Sequence, residues 1–110
     1  MTEEIADMPP DSFEALQDLI VQWARDRKII PNGQPAAQLM KTVSELGELS
    51  DATLKNDIAG IKDGVGDVVV TLILYCALQG TSIFECLNAA YSEIKDRKGT
   101  LTPEGIFVKE

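Results

Sequence analysis

The side chains best suited to chemistry in this sequence are carboxylates. Glu45 and Glu48 stand three residues apart, and Asp63 and Asp67 four apart. On helices each pair would share a face within about one turn of rise, so each is self-repelling. Asp51 and Asp57 lie between the pairs in the chain. If the two segments form an antiparallel hairpin turning near 57–60, Glu48 falls about nine residues before the turn and Asp67 about seven after it. The pairs then stand at similar height and face one another. Four such carboxylates make an all-oxygen site, which hard cations such as Mg²⁺, with Mn²⁺ as a substitute, prefer. Asp67 opens the most apolar segment of the chain, where an unpaired charge costs several kcal/mol. A plainer account makes Asp63 an N-terminal dipole partner and Glu45 and Glu48 a solvated face. Spacing alone leaves both accounts open.

A second group is Asn88, Tyr91 and Lys95, at helical spacing on one face, followed by Arg97-Lys98-Gly99. Cations near a helix C-terminus are favoured in any case. They also suit a phosphate clamp, placed where an acidic protein would otherwise repel an anionic ligand. The run Asp63-Gly64-Val65-Gly66-Asp67 is no dinucleotide fingerprint, because the third glycine would fall at Val69. Trp23, the single tryptophan, reads as core, although its face would suit a nucleobase.

Composition removes several alternatives. The chain has no histidine, which excludes Ser-His-Asp and Cys-His nucleophile systems, histidine-containing zinc sites and the Glu-x-x-His pairs of di-iron bundles. Eighteen acids against ten bases give a formal charge of −8, which disfavours binding to a nucleic-acid polymer. Cys76 and Cys86 form no Cys-x-x-Cys pair and read as buried small hydrophobes. The first eighteen residues carry acids and no base, unlike a signal peptide. The longest apolar run, Val68 to Leu78, falls short of the roughly 20 residues of a membrane span. These features point to the cytoplasm.

The elements that must position these residues are helical. At 110 residues, with 45% hydrophobic and 25% charged, one domain over 1–110 is expected. Residues 1–10, ending in Pro9-Pro10, form a loose leader. A first helix runs from an Asp11 N-cap to about Arg27, with Phe13, Leu16, Ile20 and Trp23 at helical spacing. Residues 29–34 make a turn, and Pro35 opens a second helix to about Asn56. Its Leu39, Val43, Leu46, Ser50, Thr53 and Leu54 form the expected core stripe, with Lys41, Glu45 and Glu48 opposite. The segment from Ile58 to Leu78 is β-branched enough for a strand. Its length, its stop at Gln79-Gly80 and the lack of partner strands favour a helix. Thr81-Ser82-Ile83-Phe84-Glu85 supplies a capping box for a fourth helix ending near Gly99. Residues 100–110 form an extended tail expected to pack through Ile106, Phe107 and Val108.

The ordered set Lys41-x-x-x-Glu45-Leu-Gly-Glu48-Leu, Asp63-Gly-Val-Gly-Asp67-Val, and Asn88 with Lys95-x-Arg97-Lys98-Gly99 resembles MazG-type nucleoside triphosphate pyrophosphohydrolases, in particular their short phage-like members. The likeness covers roughly residues 20–110. It implies an all-α, four-helix MazG-like bundle assembled as a homo-oligomer, a dimer or a tetramer, with Mg²⁺ held by acids of two neighbouring helices. Glu45 and Glu48 match the first acidic pair and Asp67 the last aspartate of the second. The family's second element is Glu-x-x-Asp, whereas this chain has Gly64 three residues before Asp67 and its acid at Asp63. The implied reaction is attack of water on the α-phosphorus of a (d)NTP, releasing (d)NMP and pyrophosphate. Glu45 or Glu48 would orient or deprotonate the water. Asn88 would contact sugar or phosphate, Lys95 and Arg97 the pyrophosphate, and Lys41 would balance the acids or join the clamp with Tyr91 and Lys98. The alternative is a non-catalytic helical module for oligomerisation or protein interaction.

Overall fold

A computed structural model describes residues 10–110; the expected leader, apart from Pro10, lies outside them. Among the described residues five helices precede a small hairpin: α1 (Phe13–Asp26), α2 (Ile29–Asn32), α3 (Pro35–Leu54), α4 (Ile58–Leu78), α5 (Ile83–Ile94), β1 (Gly99–Leu101) and β2 (Phe107–Lys109). The chain is therefore mostly helical, and the Val68–Tyr75 segment is helix.

Local chemistry sets the boundaries. Ser12, rather than Asp11, caps α1, its hydroxyl accepting from Ala15 N at 3.0 Å. Its extended backbone lets the side chain reach back over the first turn. Residues 29–34 are not wholly turn: Ile29–Asn32 is one irregular helical turn with an extended Ile30, which it buries. Pro35 starts α3 as expected. The α3–α4 corner is a Schellman-type stop. Asn56 is left-handed at φ 54, Asn56 N donates to Thr53 O and Asp57 N to Ala52 O, and Asp57 then caps α4 by accepting from Gly60 N. The end of α4 repeats the device around Gly80, φ 77, with Gly80 N on Ala77 O and Thr81 N on Cys76 O. Ser82 caps α5 through Glu85 N.

The antiparallel α3–α4 pair is the frame. Its face on α3 is Gln38, Thr42, Glu45 and Leu49, with Thr42 buried and the other three half-buried. Thr42 Oγ1 donates to Thr71 Oγ1 at 2.9 Å, and Thr71 donates on to Val68 O at 2.7 Å. The apolar stripe expected to face the core is left outside: Leu39, Val43, Leu46 and Leu54 are all exposed. The polar-looking face packs because threonine pairs with threonine and Gly64 lets Leu49 come close.

The core is small. Ala24, Ile30, Ile73 and Leu74 form it, with Ile20, Val21, Ile29 and Leu78 packed against it. Helix α5 departs from α4 at 99°, so one chain does not close a four-helix bundle. The last helix ends at Ile94 rather than near Gly99. Residues 99–109 pair with each other, Thr100 opposite Val108, and Ile106, Phe107 and Val108 stay exposed instead of packing onto the helices. The resulting radius of gyration is 17.1 Å, against roughly 13 Å for a compact domain of this length. Among the described residues no single helix is long and apolar enough to cross a membrane.

Candidate active site

The α3–α4 register decides where the acids stand. Thr42 meets Thr71 and Leu49 meets Gly64. Glu45 lies between Thr42 and Leu49 on one helix, and Asp67 between Gly64 and Thr71 on the other, so both fall on the facing sides of the pair. Asp67 is near enough to act electrostatically on Glu45.

Two clefts flank this contact. The first, about 420 Å³, is lined by Glu48, Asp51, Lys55, Asp57, Asp63 and Asp67. The second, about 250 Å³, has Trp23 as a wall and includes Gln38, Lys41, Glu45, Asp67 and Thr71. Asp67 belongs to both, so an acidic hollow and a hollow with one aromatic face and one lysine adjoin along it. The Arg27 guanidinium stacks over the Trp23 ring at 4.4 Å, a cation–π contact that supports the indole from its own helix.

Glu45 carries the electrostatic signature. Its carboxyl is held above the usual carboxylate range, first because Glu48 lies within hydrogen-bonding reach, then by partial burial and the charges of Glu48 and Asp67, while Lys41 pulls the other way. Its Oε2 atom is fully covered and has no hydrogen-bond partner, although the residue as a whole is only half-buried. An orphaned buried oxygen among like charges is the donor set a hard cation satisfies. The residues present therefore fit a divalent ion. Among the described residues no three acids stand close enough to form a ready-made cage; the carboxylates surround the cleft and repel one another.

Of the residues singled out in the sequence, Lys41, Glu45, Glu48, Asp63 and Asp67 line these adjoining clefts. Asn88, Tyr91, Lys95, Arg97 and Lys98 do not: all are exposed, and neither cleft includes them. Because α5 stops at Ile94, Lys95 is its C-cap, and Arg97 and Lys98 lie in the turn before β1. Trp23 is 44% exposed as a cleft wall rather than core. Gln38, one turn before Lys41 and Thr42, gave no signal beyond that spacing; it lines the second cleft and donates to Thr71 O at 3.4 Å.

No family model matches the chain. It is 38% identical over 55 residues to an uncharacterised 18.2 kDa protein of Haemophilus phage HP1, encoded between rep and hol. That match takes in 50% of this chain and 34% of the phage protein, so the chain spans about a third of its length. Among solved structures it is similar to a cyanophage S-2L MazG-like pyrophosphohydrolase bound to dGDP and three catalytic Mn²⁺ ions per active site. The TM-score is 0.63 at 22% identity, covering 92% of this chain and 99% of the other. What the two share across nearly their whole length is the fold, and this chain is built on the MazG-like one.

Proposed function

We propose that this chain is a divalent-metal-dependent nucleoside triphosphate pyrophosphohydrolase that converts (d)NTP to (d)NMP and pyrophosphate. The observation that carries the reading is the covered, unpartnered Oε2 of Glu45 beside Glu48 and Asp67. The fold shared with a pyrophosphohydrolase that binds dGDP and Mn²⁺ supports it.

Glu45, Glu48 and Asp67 would hold the ions, Mg²⁺ or Mn²⁺, with Asp63 at the rim of the same cleft. When bound, the ions neutralise phosphate charge and lower the pKa of the attacking water. Water adds to the α-phosphorus, the α–β anhydride bond breaks, and pyrophosphate leaves with that electron pair. A carboxylate oxygen of Glu45 or Glu48 that holds no ion would orient the water and take its proton. Lys41 offsets the triphosphate charge from the second cleft, and Trp23 presents its face to the base.

The reading includes self-association. Apolar faces on α1, α3 and α5 stay exposed, including Leu16, Leu19, Val43, Leu46, Leu87 and Tyr91, more than a folded monomer ordinarily shows. A homo-oligomer, closing its helical bundle between copies, would cover them and bring Asn88, Lys95 and Arg97 of another copy towards the acids. The test is pyrophosphate release from the eight common (d)NTPs with Mg²⁺ or Mn²⁺. Glu48→Gln and Asp67→Asn are expected to abolish release with helical circular dichroism retained. Unchanged turnover in both, or none in the parent chain, leaves the non-catalytic oligomerisation module as the better reading.

A further inference from the structure

The two cysteines, ten residues apart and set at right angles by the α4–α5 corner, come together. Cys76 Sγ and Cys86 Sγ are 3.9 Å apart. Cys76 is 5% exposed, whereas Cys86 is exposed to solvent. Reading both as buried hydrophobes therefore holds for Cys76 alone. The corner is fixed by backbone bonds on Cys76 itself, whose carbonyl accepts from Gln79 N at 3.0 Å and Thr81 N at 2.9 Å. Ser82 then caps α5 and starts the turn that carries Cys86. One thiol is open to reagents and the other is held behind it, the arrangement a resolving pair needs.

We propose that Cys76 and Cys86 form a reversible intrachain disulfide, closed by hydrogen peroxide and opened by a dithiol, which locks α5 onto the end of α4. The Cys86 thiolate attacks the peroxide, breaking the O–O bond to give Cys86 sulfenic acid and hydroxide. Cys76 sulfur then attacks the sulfenic sulfur, the S–O bond breaks, and the leaving hydroxide takes the Cys76 proton as water. Overall, two thiols lose two electrons and two protons, and one peroxide becomes two waters. Burial, and next the hydrogen bond with Cys86, pushes the Cys76 thiol up to about 11, which suits it to the second step rather than the first. Closure requires the sulfurs to move from 3.9 Å to a bonding distance of about 2 Å. Cys76 lies nine residues beyond Asp67, about 13 Å along α4, so the pair stands apart from the acids.

The whole chain is treated with one equivalent of hydrogen peroxide, blocked with a maleimide and weighed. The expected product is a monomer lighter by two hydrogen atoms that takes no maleimide, regains both thiols with dithiothreitol, and leaves two joined peptides after chymotryptic cleavage at Phe84. Closure in native buffer should outpace that of the urea-unfolded chain by more than about tenfold, because the fold holds the sulfurs together. Cys76→Ser should stop at a sulfenic acid that dimedone traps on Cys86. Sulfinic acid on Cys86 with Cys76 still blocked by maleimide, disulfides only between chains, or equal rates in urea would each overturn the proposal.

Discussion

Gly64 faces Leu49 so closely that a Cβ on it would stand 3.1 Å from Leu49 Cδ1 and 3.3 Å from Leu49 Cα. This is where α3 and α4 approach across the candidate site. At Gly66, two residues on, a Cβ would meet nothing within 4 Å. The two glycines therefore predict opposite responses. Gly64→Leu should lose about 2–3 kcal/mol by overpacking the helix pair. Gly66→Ala should gain up to about 1 kcal/mol from helix propensity. Urea melts of both variants check this, and equal shifts would overturn the assigned contact between Gly64 and Leu49.

Glu45 predicts a pH dependence. Its pKa is raised by Glu48, partial burial and Asp67 over an ordinary value of 4.5, so its charged form costs stability in the folded state. That cost is absent below the unfolded value and fully present once pH exceeds the folded one. Without divalent ions, Glu45→Gln should be more stable than the parent chain at pH 7, and the difference should vanish by about pH 4. Millimolar Mg²⁺ should stabilise the parent and not the variant, as read by thermal melts.

Trp23 should report nucleotide. As the single tryptophan and the wall of the second cleft, it should change its emission when a (d)NTP is added with metal. Stacking is worth about 1–3 kcal/mol, so Trp23→Ala should raise KM by about tenfold or more with kcat changed less. A fall in kcat at constant KM would move Trp23 out of substrate binding.

Self-association should depend on the outer face of α3. Val43 and Leu46 are 53% and 49% exposed there. Sedimentation should give a multiple of the chain mass, and Leu46→Glu should shift it towards monomer by desolvating a charge at the contact. A parent chain that sediments as a monomer would remove the oligomer from the proposed function.

Much of the architecture was legible because caps and stops are local. Pro35, the Ser82 box and the Gln79-Gly80 stop each depend on a few neighbouring residues, and each lies where the sequence indicates. The Ser12 cap is not legible in the sequence, because Asp11 offers equally good chemistry one position earlier and only backbone geometry chooses between them. That the acids of α3 and α4 line adjoining clefts was legible too, since helical spacing fixes which carboxylates share a side. Where the group at 88–98 stands relative to those acids within one chain was not, because a helix face has no preferred target until its helix is placed, and α5 turns away.

Helix content, the acidic pairs and the exclusion of histidine chemistry follow from the order of residues alone, since they depend on short-range sterics and on which functional groups exist. Tertiary structure decided which side of α3 faces inward, made Trp23 a wall, and brought Cys86 to Cys76. Periodicity marks an apolar stripe but not its partner. A threonine pair and a glycine gap could outcompete Leu39, Val43 and Leu46 for the contact with α4, because close approach and satisfied hydroxyls depend on both helices at once.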